Sequence, residues 1–232
     1  MAVTLKKITA YEDRNGNRIE YSGTAPMDTG ITVLFRGSNN VLMVDATARV
    51  QRLYLRFDSH NGQCRIGGNS GVAALKAGIR VGQDSAVLLG DNVSTTSHVD
   101  ISAVEGTSVT LGDDVMIATG VRIRSDDGHP IFDVEDGKRV NASRSIDVGD
   151  HVWLGIDSFL LGGAKIGSGS VVGARSLVTK EFPNNCVVAG TPAKEIRRDI
   201  AWERPHLSVV PPYYKPDAST VTKSEYWNRT DG

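Results

Sequence analysis

A six-residue beat runs through this 232-residue chain and restricts its fold more than any other feature. From Val148 the sequence divides into VGDHVW, LGIDSF, LLGGAK, IGSGSV, VGARSL and VTKEFP, led by Val148, Leu154, Leu160, Ile166, Val172 and Val178. Four of the six second positions are glycine. An earlier block keeps the step through Val81, Val87, Val93, Val99, Leu111, Ile117 and Ile123, with one lapse at Glu105. A period of six is neither the 3.6 of a helix nor the plain 2 of a strand. It suits short strands that each turn one aliphatic inward, separated by turns where Gly, Asn or Asp takes unusual dihedrals. Such units chain into a solenoid whose coils stack through backbone hydrogen bonds around an aliphatic column. A β-sandwich of alternating strands is the plainer alternative, and the phased run of aliphatics argues against it.

Composition agrees with a turn-rich soluble chain. Glycine accounts for 25 of the 232 residues. The formal net charge is −1 and the sequence pI about 6.5, which gives no nucleic-acid footprint. No apolar run resembles a signal peptide, and none approaches the ~18 residues of a membrane span, so a cytoplasmic location is expected. Cys64 and Cys186 are far apart and outside any C-x-x-C spacing, which supports neither a disulfide framework nor a zinc cluster.

The organisation reads in three parts. Residues 1–75 form irregular N-terminal β coils or a cap, in which Phe35 and Asn39 of FRGSN recur 22 residues later as Phe57 and Asn61 of FDSHN. Residues 76–198 form the repeat solenoid. Residues 199–232 are a proline-rich C-terminal extension, at whose start RDIAWER has the makings of about two helical turns.

Between Ile123 and Val148 the phase slips, and residues 124–147 read as a loop leaving the solenoid. Long loops in compact domains are usually functional or disordered. The stretch SDDGHPIFDVEDG holds His129 among acidic residues that can orient an imidazole ring and fix its tautomer. Chemistry alone leaves two readings open, a general base or a surface histidine. Of the other histidines, His151 is expected to be solvated in a hexapeptide turn. His98 reads as a turn residue with a chance of lining a cleft, while His60 and His206 carry no motif.

The run from Val148 to Arg197 resembles the hexapeptide-repeat acyltransferases. That resemblance implies a left-handed parallel β-helix with three hexapeptides per coil; the period alone gives no handedness. Gly128-His129-Pro130 and Val152-Trp153-Leu154-Gly155 are similar to the motifs of galactoside and maltose O-acetyltransferases, which makes His129 the implied general base and places Trp153 in the site beside the thiol end of the donor. GARSLVTK and AGTPAKEIR match further family motifs. By resemblance, Trp153, Ala174, Thr179, Lys180, Lys194 and Arg197 contact acetyl-coenzyme A, while the small residues Gly155, Gly173 and Ser176 offer its pantetheine arm a smooth face. Ile131, Phe132 and Asp133 replace the further histidines of those enzymes, which points away from a simple galactoside or maltose acceptor. Residues 31–75 and the tail are closer to capsule and polysialic acid O-acetyltransferases.

The function implied is direct transfer of an acetyl group from acetyl-coenzyme A to a sugar hydroxyl of a bacterial surface polysaccharide, capsular or containing sialic acid. Sites would lie between the subunits of a homotrimer, with no metal. An N-acetyltransferase of an amino-sugar nucleotide or xenobiotic and a non-catalytic scaffold are the alternatives. A serine acyl-enzyme is disfavoured because no G-x-S-x-G elbow is present.

Overall fold

The computed structural model describes residues 2–232, and every regular element among them is a β-strand. The strands form an eight-stranded, a nine-stranded and a six-stranded sheet, wound into a parallel β-helix of about seven turns. One coil runs through Leu75–Val81, Ala86–Leu89 and Ser94–Thr95 on those three sheets in turn; the next repeats the order with Val99–Ala103, Ser108–Leu111 and Met116–Ile117. The chain therefore turns three corners per coil, from eight- to nine-stranded sheet, from nine- to six-stranded, and back to the eight-stranded sheet.

The beat has a different basis in its two blocks. After Val148 a coil closes in three hexapeptides, so Leu160 pairs with Val178, Val148 with Ile166 and Leu154 with Val172. Before Ile123 the coils are longer: Ile79 pairs with Ile101, and Ile101 with Ile123, each 22 residues on. The aliphatics of the earlier block are nonetheless all buried. Longer strands there alternate inward and outward, as in Leu75–Val81, and a step of six keeps phase with a period of two. The 22-residue recurrence of Phe35 and Asn39 is likewise one coil. The Phe35 and Phe57 rings stack at 5.1 Å, and Asn39 hydrogen-bonds Asn61.

Pairing runs without a break across residue 75. Ile31–Phe35 and Val50–Phe57 continue the eight-stranded sheet, and Arg18–Tyr21, Val41–Val44 and Gln63–Ile66 continue the nine-stranded one. The irregularity of the N-terminal region lies in its third side, because the six-stranded sheet begins only at Ser94. Buried Asn17 and Asn40 bridge these coils. Asn40 donates to Asn17 Oδ1 and to the Ser59 carbonyl, both at 2.9 Å, and accepts from the Gly62 N–H at 2.8 Å. At the far end Ala193–Arg197 folds back antiparallel on Val187–Gly190.

The expected helical turns in RDIAWER do not form. An open backbone lets Trp202 and Arg204 reach separate buried partners on the solenoid, and that packing outweighs local helix propensity. No helix is long and apolar enough to cross a membrane.

Asn40→Ala should lower the midpoint of chemical unfolding, at a cost of about 1–3 kcal/mol for the buried Gly62 N–H it leaves unpaired. Urea denaturation followed by circular dichroism checks this.

Candidate active site

The loop carrying His129 replaces the first corner between strands Arg122–Arg124 and Ile146–Val148. It is a built finger. Ile131 and Val140 pair through the backbone, as do Asp133 and Lys138, and Asp133 caps the tip by accepting from the N–H groups of Glu135 and Asp136. Asn141 holds its base, donating to both the His129 carbonyl and Asp127 Oδ2 at 2.9 Å.

Glu105, the lapse in the beat, explains itself here. It sits at positive φ on the neighbouring coil and binds Arg139 and Ser143 of the loop, each at 2.6 Å. These hydrogen bonds hold its carboxyl down to about 2. A second tether is Asp126, whose buried carboxylate accepts from Ser102 at 3.0 Å and Arg124 at 3.1 Å.

His129 is exposed and lines a hollow of about 260 Å³ with Asp58, Arg80, Glu105, Asp126 and Arg139. The expected carboxylate partner for its ring is absent among the described residues, since Asp126 and Asp127 are committed to the loop's own framework.

The other expected site residues fall into two groups. Thr179 and Lys180 share the first corner, and Thr179 lines a cavity of about 460 Å³ with Asp126, Asp127 and Asn141 at the loop's foot. Trp153 stands outward on the six-stranded sheet, 39% exposed. Gly155, Gly173, Ala174 and Ser176 lie at the third corner, from the six-stranded back to the eight-stranded sheet. Lys194 and Arg197 are exposed on the strand closing the six-stranded sheet. A Cβ on Gly155 would stand 2.6 Å from the Val172 carbonyl oxygen, and one on Gly173 would stand 2.9 Å from the Ala189 Cβ, so glycine lets these coils stack tightly. The Ser176 hydroxyl is buried and accepts from the Gly190 N–H. A single chain thus holds His129 and Trp153 on different sides of the solenoid.

His151 corrects expectation outright. It is 2% exposed, not solvated. The tail covers it, stacking its ring between Trp202 at 4.2 Å and Tyr226 at 4.7 Å. Its Nδ1 faces Asp114 and its Nε2 faces the Trp202 carbonyl, both acceptors, so the doubly protonated ring satisfies both. Arg204 completes the clamp on Asp114, Ser94 and the Asn92 carbonyl. The clamp brings Trp202 to 6.0 Å from Trp153. Sequence reasoning missed this cluster because its partners lie 37 to 112 residues apart. The one local hint was an aromatic and an arginine in an otherwise proline-rich tail.

Residues 63–90 and 145–180 match the model described as the hexapeptide repeat of succinyl-transferase. The polysialic acid O-acetyltransferase of Escherichia coli O1:K1 / APEC is 37% identical over 130 residues, covering 56% of this chain and 42% of that protein. The putative lipopolysaccharide biosynthesis O-acetyl transferase WbbJ of Escherichia coli K12 is 38% identical over 121 residues, covering 48% and 60%. The chain spans about half the length of the curated relatives it matches. The crystal structure of the polySia-specific acetyltransferase NeuO superposes with a TM-score of 0.70 at 30% identity, covering 84% of this chain and 94% of that one. The shared fold is the left-handed parallel β-helix.

The His151 clamp predicts how tail docking depends on pH. Burial alone would lower the His151 pKa, but hydrogen bonds to Asp114 and the Trp202 carbonyl, with the Asp114 charge, raise it above its ordinary 6.5. Burial would likewise raise the Asp114 pKa, yet His151 and Arg204 hold it below the carboxylate range. Docking should therefore be strongest in the acid-to-neutral range. It should weaken as pH rises through the raised His151 value, and again as pH falls through the lowered Asp114 value. Hydrogen exchange of residues 199–204 across pH 2–9 reads both arms, and Asp114→Asn should flatten the alkaline one.

Proposed function

The chain belongs to the hexapeptide-repeat acetyltransferases, and on that footing we propose that it transfers an acetyl group from acetyl-coenzyme A to a sugar hydroxyl of a bacterial surface polysaccharide. The observation that carries this reading is Gly128-His129-Pro130 held on an ordered finger above a hollow at a solenoid corner. The names of the relatives, which act on polysialic acid or in lipopolysaccharide biosynthesis, support it.

His129 takes the proton from the acceptor hydroxyl as that oxygen attacks the thioester carbonyl, and gives it to the thiolate that leaves when the C–S bond breaks. The oxyanion that develops needs a backbone N–H or similar donor. Gly155 and Gly173 leave a smooth strip at the third corner against which an extended amide-bearing arm can lie, with Trp153 at its thiol end. Lys194 and Arg197, with Lys180 reaching over from the first corner of the neighbouring subunit, offer exposed charge to its phosphates. We assign the protein to the cytoplasm, where acetyl-coenzyme A is made, and no metal enters the scheme.

Separation of His129 from Trp153 within one chain supports a homotrimer in which the finger of one subunit meets the third corner of the next. Closed threefold symmetry then gives three equal sites.

His129→Ala should lower turnover by roughly 10²–10⁴-fold while leaving donor affinity nearly unchanged; a folded variant with full activity sinks the assignment. Lys180→Ala or Arg197→Ala should raise the KM for acetyl-coenzyme A by roughly tenfold, with little change in the acceptor KM. Thiol release against varied donor and acceptor measures both. Reassembling His129→Ala subunits with Arg197→Ala subunits should restore part of the activity, and a stable, fully active monomer contradicts the shared site.

A further inference from the structure

The eight-stranded sheet carries a groove that the reaction scheme leaves unused. Its hollow of about 530 Å³ is lined by Tyr54, Arg56, Gly78, Arg80, Arg122 and Phe159, among others. It shares Asp100, Arg122 and Phe159 with a hollow of about 420 Å³ at the third corner beside His98, and it shares Arg80 with the His129 hollow at the first corner. The three hollows form one path across the sheet. Its span, residues 98 to 104 of one coil, is about 20 Å at ~3.3 Å per strand residue, several times the width of one sugar ring.

Register sets what the path offers. One outward row runs Arg56, Arg80, Ser102, Arg124 across successive coils. Asp58 and Asp126 lie beneath it, their side chains 18% and 4% exposed, and anchor the guanidiniums: Arg56 and Arg80 reach Asp58 at 2.8 and 2.6 Å, and Arg124 reaches Asp126 at 3.1 Å. Asp58 meets the Nε of Arg56 and of Arg80, Asp126 meets a terminal nitrogen of Arg124, and the three arginine side chains stay 32–38% exposed. The neighbouring row runs Tyr54, Gly78, Asp100, Arg122, Phe159. Arg122 is exposed and makes no side-chain hydrogen bond or ion pair among the described residues.

Gly78 lets the side chains of Asp100 and His98 lie close over the floor of the path. A Cβ there would stand 2.9 Å from Asp100 Oδ1 and 3.1 Å from His98 Nε2; glycine within a strand marks a place of close approach. At the third corner the fully buried Ser158 lines the hollow, and its hydroxyl has no partner. Aromatic rings of Tyr54 and Phe159 flank the path on outer coils, and with the anchored guanidiniums and the free Arg122 between them they make a surface for sugar rings that carry carboxylates.

We propose that this groove is an acceptor track, distinct from the catalytic histidine, that binds a carboxylate-bearing polysaccharide along the eight-stranded sheet. The proposal rests on the acetyl-transfer reading, and it gives the track a place in it, since the groove joins the two corners that each supply half of a site.

Titration calorimetry without donor tests it, using polysialic acid, polygalacturonate, neutral dextran and duplex DNA as probes. Polysialic acid or polygalacturonate should bind, more weakly as salt rises, and dextran should not. Arg122→Glu should weaken that binding about tenfold and raise the polymer KM by the same factor relative to the donor KM. Failure of both carboxylated polymers to bind overturns the track, as does a change under twofold in Arg122→Glu. Equally tight DNA binding overturns it in favour of an unselective polyanion surface. Dissociation of the assembly by Arg122→Glu overturns it in favour of a face that receives the acidic loop of a second copy. Binding without thiol release toward any acceptor defeats the acetyl-transfer reading and leaves the track standing; thiol release indifferent to Arg122 defeats the track alone.

Discussion

Register between successive coils is the constraint on which everything else depends. Each coil lies on the last through parallel backbone pairing, so a residue's position in its coil fixes which sheet and which row its side chain joins. A slip of one residue would turn the aliphatic column outward. Fixed register aligns Arg56, Arg80 and Arg124 from sequence-distant segments, and it lets glycines stack where Gly155 and Gly173 meet the next coil. Chemistry on this scaffold is a matter of columns and corners.

Departures from register are where the molecule becomes specific. Glu105 gives up an aliphatic position in the beat and ties the finger to the solenoid through Arg139 and Ser143. Asp126 ties the loop's start to Ser102 of the preceding coil from a buried position. Two charged anchors on neighbouring coils hold His129 at a defined height above the first corner, and a loop lacking them would be a mobile tether.

Much of the fold was legible because burial is periodic. Aliphatics at Val148 through Val178 announce a solenoid, the family resemblance adds three hexapeptides per coil, and that is how those residues pair. The earlier block misleads about coil length, since a six-residue step samples any strand that alternates inward and outward. For the candidate site, sequence isolated the finger and its histidine as a break in a regular pattern. Contacts between residues with no local pattern stayed out of reach. Nothing near His151 announces that Trp202 and Tyr226 will enclose it, and nothing near RDIAWER states that Trp202 and Arg204 have buried partners elsewhere. Such contacts depend on where the tail crosses the solenoid, which tertiary packing decides.

In the proposed scheme a histidine from one chain meets an acyl donor laid along the third corner of another. A structure of the assembled protein with coenzyme A measures this directly. The account predicts the pantetheine arm against Gly155 and Gly173 of one subunit, with its sulfur within about 3–4 Å of the imidazole of His129 from a neighbour. An arm bound wholly within one subunit, or a sulfur far from every His129, would contradict it.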